Sequence, residues 1–181
     1  MKTVIIGANH AGIAAANTLL DNYPEQKVVM IDRNSNLSYL GCGTALWVGR
    51  QIDSFENLFY TNREAFEAKG ADIRMETTVK KIDFEGKKIF CESLDGATFE
   101  ESYDKLILAT GSLPIAPQIP GSDLEGISFL KLFQDGQEVD RQLRLRRLQS
   151  EEEKKLGCLM WRLPLWRAIM THGSRKTWTK I

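Results

Sequence analysis

Apolar positions along this chain come in short solid runs separated by glycine-rich or polar turns, the pattern of strands covered on both faces and alternating with helices. Lys2 to Ile6 reads as a buried parallel strand, and Gly7-Ala8-Asn9-His10-Ala11-Gly12 as the loop that opens a helix. That helix, Ala11 to about Leu20, is rich in alanine and suited to close packing on a sheet; Asn22, Tyr23 and Pro24 end it. Lys27 to Asp32 is a second strand, which completes one βαβ unit. Asn62 to Lys69 reads as a helix closed by Gly70, followed by a strand at Asp72 to Met75. From Thr77 to Tyr103 the period drops to two, with turns at Glu85-Gly86 and Asp95-Gly96, which predicts a small antiparallel meander. Lys105 to Leu108 returns to a solid apolar strand, and Pro114, Pro117 and Pro120-Gly121 mark an extended exit. The fold class is therefore α/β, a parallel sheet plus a small antiparallel β-meander.

Past about Gln149 the pattern changes. Residues 154–181 hold no acid, seven Lys or Arg and three of the four tryptophans, and Pro164 interrupts the one apolar run long enough for a helix. The division expected is 1–120 as a nucleotide-binding domain, 121–153 as the start of a connection, and 154–181 as a basic, Trp-rich tail outside any folded domain. At 181 residues with 24 basic and 24 acidic side chains, the chain is long enough for one well-buried domain. Its charge balance gives no reason to expect a nucleic acid or an anionic membrane as partner. No apolar run reaches the roughly 18 to 20 residues of a membrane span. The first apolar stretch lacks a signal-peptide profile, which points to the cytoplasm. Three cysteines, Cys42, Cys91 and Cys158, show no metal-ligand spacing and fit a reducing compartment.

Gly7-x-Asn9-x-x-Gly12 is a dinucleotide loop with asparagine at the second glycine position. It follows a strand and opens a helix, and Asp32 ends the next strand about 20 residues later, where a carboxylate accepts from a ribose hydroxyl. Helix-start N–H groups bind a pyrophosphate in this setting. The small-residue run Ala109-Thr110-Gly111-Ser112 at the end of a later strand reads as a second contact to the same dinucleotide, or as a plain strand exit. Cys42 stands between Gly41 and Gly43 ahead of a helix start at Thr44. The glycines are expected to turn the backbone sharply and admit a flat ring, and the helix start to favour a thiolate. The alternative is a small buried hydrophobe. Neither Cys91 nor Cys158 stands near Cys42 in sequence, so a redox cycle has one sulfur, alternating between thiolate and sulfenic acid. Cys91, in an alternating strand, reads as packing. His10 either bonds the backbone or a phosphate, or exchanges protons near neutral pH.

Together these residues resemble the flavin-dependent pyridine nucleotide-disulfide oxidoreductases, in their single-cysteine branch of NADH oxidase, NADH peroxidase and coenzyme A-disulfide reductase. Leu40-Gly41-Cys42-Gly43-x-Ala45-Leu46-Trp47, with Asn9-His10-Ala11-Gly12 before it, is most similar to the water-forming NADH oxidases of lactic-acid bacteria. The Leu-Pro-Tyr-Tyr continuation of the coenzyme A-disulfide reductases is absent. The resemblance implies a Rossmann-like FAD-binding domain, incomplete relative to the family. It implies Cys42 as redox-active sulfur and His10 as active-site histidine. FAD contacts would be Gly7, Ala8, Asn9, His10, Ala11, Gly12, Asp32, Cys42, Val79, Ala109, Thr110, Gly111, Ser112 and Lys131, with no metal. The partners implied are small molecules, with electrons passing from NADH through FAD to dioxygen or peroxide. Such proteins form homo-oligomers through a C-terminal domain and bind NADH through a second glycine-rich loop. After Lys155 no such loop follows, so a truncated or frameshifted chain with residues 156–181 out of frame, inactive alone, is expected.

Overall fold

The structure is a computed structural model and describes residues 1–162, with side chains described through Glu151. The Cys158 side chain and the part of the expected tail beyond Arg162 lie outside that description. Two compact units divide at Gly136/Gln137.

The first unit is built on a four-stranded parallel sheet in the order β3-β2-β1-β7. Its strands are β1 (Lys2–Ile6), β2 (Lys27–Ile31), β3 (Asp72–Arg74) and β7 (Lys105–Leu108). The meander expected from Thr77 to Tyr103 is present as β4 (Thr77–Asp83), β5 (Lys88–Ser93) and β6 (Thr98–Ser102), all antiparallel. Alternation along the central strands explains their solid hydrophobic runs. Ile5, Val28, Met30 and Ile73 face the helical layer with Ile13, Ala16, Leu20 and Phe66. Val4, Val29 and Ile31 face the meander with Ile89, Cys91 and Tyr103. Both faces are covered, so a polar side chain at these apolar positions would be costly, and the buried Thr3 of β1 has a partner in Gln26.

Helix α1 spans His10–Asn22, beginning one residue earlier than the pattern suggested and running to Asn22, whose Nδ2 donates to the Thr18 carbonyl at 2.8 Å. The expected 62–69 helix is the shorter α3, Arg63–Glu67, capped by Asn62 Oδ1 on the Ala65 N–H at 3.0 Å. Gly70 closes the turn at φ 89°. Glu101 on β6 ties the two sheets together: it is 8% exposed and paired with Lys2 of β1 and Arg74 of β3. Burial pushes its carboxyl pKa up, but the two cationic hydrogen-bond donors outweigh burial and hold it below the usual range.

This unit runs past residue 120 because the chain returns to the cysteine segment. Phe133 is buried among Tyr39, Trp47 and Leu58. Gly136 fits against that cluster only for want of a side chain: a Cβ there would lie 2.7 Å from Thr44 Cγ2. Between these points residues 111–120 are exposed throughout, Ile115 at 91%.

The second unit continues α4, Phe133–Arg162, from Gln137. Glu138–Arg141 and Asp140–Arg144 pair one turn apart along it. The helix passes the 153/154 boundary at which the tail was expected to begin. Glu, Lys, Leu and Met, all good helix formers, carry it across.

Candidate functional site

In an open parallel sheet the crevice for a ligand lies at the carboxyl ends of the strands where the order reverses, here between β1 and β7. Gly7 ends β1 at φ 115°, and a Cβ on it would overlap the Ala109 carbonyl oxygen at the end of β7. A Cβ on Gly12 would overlap the Gly7 carbonyl oxygen. The two glycines therefore let three segments close on one another: the 7–12 loop, the first turn of α1 and the 109–112 run. Thr110, Gly111 and Ser112 are exposed at the lip, Gly111 at φ 65°.

Asparagine is a favoured helix cap, yet Asn9, the N-cap of α1, makes no side-chain cap bond. Its Oδ1 instead lies 2.8 Å from His10 Nδ1. An amide oxygen only accepts, so in the neutral ring the proton sits on Nδ1 and Nε2 keeps its lone pair. The first-turn N–H groups of α1, with no acid beside them, remain available to an anion. The His10 ring also meets Tyr60 edge-on at 5.6 Å. Asn9, His10 and Ala11 are exposed, whereas Ala8 is buried with both backbone polar groups in use. Its N–H donates to Asp32 Oδ2 at 2.7 Å, and its carbonyl accepts from the Ser38 N–H at 3.1 Å. Ala8 thus shapes the loop from within.

Asp32 follows β2. Its Oδ1 accepts from the Asn34 N–H and side-chain amide, both at 2.8 Å, and Oδ2 from Ala8. Oδ2 retains capacity for one more donor, such as a ribose hydroxyl. Val79 packs against the core under the meander, opposite Cys91 and next to a bulge in β4. Its strand begins at Thr77, whose N–H donates to the Asp32 carbonyl at 2.9 Å. Lys131 is exposed. Its carbonyl faces the cysteine turn, 3.7 Å from where a Gly41 Cβ would stand, and its N–H donates to Asp135 Oδ2 at 2.9 Å.

Cys42 is exposed in a 3-10 turn, Gly41–Gly43, that leads into α2, Thr44–Val48. The sharp turn expected of its glycines is made by a different residue. Gly43 is right-handed at φ −82°, and what excludes a side chain there is Leu58 Cδ2, 2.6 Å from where a Cβ would stand. The left-handed residue is Ser38, at φ 66° and 1% exposed. Its hydroxyl donates to the Thr61 carbonyl at 2.6 Å and accepts from the Thr61 N–H at 3.2 Å. Nothing in the sequence marks a serine for that conformation, since its partner stands 23 residues away. Tyr39, Thr44 and Tyr60 escaped sequence reading for the same reason. Through Ser38 the cysteine segment is bonded to the Ala8 loop and to the segment carrying Tyr60, so the turn with Cys42 is anchored to the 7–12 loop. Trp47 is buried in the aromatic cluster with Tyr39, Leu58 and Phe133.

Cys91 is 2% exposed, and burial pushes its thiol pKa up. Alkylation of the native protein at pH 7 is therefore expected at Cys42 about 100-fold faster than at Cys91, which must wait for an opening of the core. Peptide mapping after brief treatment with iodoacetamide reads the ratio; equal labelling would refute the contrast. Among the described residues there is no cluster of ligands able to hold a metal ion, and no helix long and apolar enough to cross a membrane.

Residues 1–152 match the pyridine nucleotide-disulphide oxidoreductase family. An NADH oxidase of Lactococcus lactis subsp. cremoris is 61% identical over 140 residues, covering 77% of this chain and 31% of that protein. An NADH oxidase of Streptococcus pneumoniae is 47% identical over 154 residues, covering 78% of this chain and 33% of that one. Among solved structures, the water-forming NADH oxidase of Lactobacillus brevis, bound to NADH, superposes with a TM-score of 0.75 at 34% identity, over 80% of this chain and 32% of that one. The chain spans about a third of the length of these relatives.

Proposed function

The chain belongs to the pyridine nucleotide-disulphide oxidoreductase family, and from that premise we propose that residues 1–136 are the FAD-holding part of an NADH oxidase-type oxidoreductase. The observation that carries this reading is the crevice at the β1/β7 strand ends, where side chains at Gly7 and Gly12 would fill the floor and the start of α1 is uncapped. A dinucleotide fits that chemistry. The first turn of α1 would take the diphosphate, Asp32 Oδ2 a ribose hydroxyl, and Thr110 and Ser112 polar groups further along. When bound, FAD supplies two-electron transfer between a nicotinamide dinucleotide and an oxygen acceptor.

Cys42 and His10 would do the chain's own chemistry. The Cys42 thiolate attacks one oxygen of hydrogen peroxide; an S–O bond forms as the O–O bond breaks. His10 Nε2, its lone pair free, takes the Cys42 thiol proton as the thiolate forms and returns it to the departing hydroxide, while Nδ1–H stays on Asn9 Oδ1. The resulting sulfenic acid returns to thiolate and water with two electrons from NADH.

The crevice supplies phosphate and ribose contacts, so ADP should compete with FAD while riboflavin should not. Flavin fluorescence on titration is expected to show FAD binding that ADP reverses and dialysis removes. Absence of FAD binding, or binding indifferent to ADP, would sink the assignment; stoichiometric FAD that survives dialysis would contradict weak binding.

A further inference from the structure

Tyr39 is almost fully buried, 4% exposed, with its ring 5.6 Å from Phe133 and 5.9 Å from Phe59. Its hydroxyl leaves this apolar cluster to bond Thr44 Oγ1. Thr44 Oγ1 in turn donates to the Gly41 carbonyl at 2.9 Å. A threonine hydroxyl has one proton, so Tyr39 is the donor in the first bond. The two bonds span the turn Gly41–Gly43 from both ends, with Cys42 between them. Burial, then the nearby charges of Asp135 and Cys42, push the Tyr39 pKa up despite the bond to Thr44, which keeps the donor protonated.

What the clamp opposes is collapse of the sulfur. Free cysteine is among the most readily buried side chains, and beside this turn stand Leu58 and Ile52, 2.6 and 3.9 Å from a Cβ placed on Gly43. Cys42 is nonetheless exposed. We propose that Tyr39, acting through Thr44, is a positioning residue that holds the Cys42 turn open and its sulfur out of the neighbouring apolar cluster. This rests on the reading of Cys42 as the reactive thiol.

Tyr39→Phe keeps the ring and removes the donor; Thr44→Val removes the relay; Thr44→Ser restores a hydroxyl. In the full chain, Cys42 alkylation by iodoacetamide at pH 7 should slow roughly three- to tenfold in Tyr39→Phe and in Thr44→Val, the worth of one hydrogen bond. The double variant should be no slower than either single one, and Thr44→Ser should keep the original rate. Thermal melting and Cys91 protection, followed in parallel, separate this from general unfolding. Unchanged Cys42 rates in folded Tyr39→Phe and Thr44→Val would reduce Tyr39 to packing and overturn the proposal. A parent protein whose Cys42 reacts no faster than Cys91 would overturn instead the reading beneath it.

Discussion

The 181-residue chain, supplied with saturating FAD, is expected to oxidise NADH no faster than the same concentration of free FAD. Hydride transfer needs the nicotinamide held at near-contact distance from the flavin, and such positioning is worth effective concentrations on the order of 10⁵ to 10⁸ M. The sequence has one dinucleotide loop, Gly7 to Gly12, and that loop is committed to the β1/β7 crevice. NADH absorbance and dissolved oxygen, recorded with the parent chain and with Cys42→Ala, read the result. Oxygen consumption well above free flavin and dependent on Cys42 would show that the first third of such a protein is sufficient, contrary to this proposal. Addition of a separate polypeptide beginning with an NADH-binding loop should raise the rate if the two associate.

Gly7→Ala should abolish most nucleotide affinity. The new side chain meets two independent penalties: a left-handed φ of 115° and overlap with the Ala109 carbonyl. Strain of that kind costs about 1 to 3 kcal/mol and overpacking a similar amount; a loop that relieves them by moving away from Ala109 deforms the crevice, so affinity for FAD and for ADP should fall about 100-fold or more. Gly70→Ala is the matched control. Gly70 has φ 89° with nothing within 4 Å of its Cβ position, so alanine there pays strain without touching the crevice. It should lower the melting temperature and leave nucleotide affinity unchanged. Equal affinities in a folded Gly7→Ala protein would remove the β1/β7 crevice as the binding site.

The two classes of residue in this site were unequally visible. Strand, glycine loop, helix and terminal Asp32 could be read in order because each is set by neighbours within a few positions. Gly7 needs its left-handed turn whatever lies across from it, and Asp32 follows the last apolar residue of β2. The meander was visible because its period is two and its turns carry Asp83-x-x-Gly86 and Asp95-Gly96, whose carboxylates bond the turn N–H groups at 2.9 and 3.1 Å. The opposed fates of Cys42 and Cys91 followed from the same local logic, glycine flanks against strand alternation.

The sequence alone thus determined the glycine loop, the alternation of elements and the identity of the candidate sulfur. Tertiary structure decided how that sulfur is held. Ser38 is left-handed because Ala8 and Thr61 bond it from 30 and 23 positions away, and the His10 ring that takes Asn9 Oδ1 meets Tyr60 from 50 positions away. Tyr39 and Thr44 meet inside a cluster completed by Phe133, nearly a hundred positions on. Local periodicity and turn chemistry are energies between near neighbours and leave a trace in sequence. A bond between distant residues leaves none until the chain has folded and burial makes an unpaired hydroxyl or carbonyl costly.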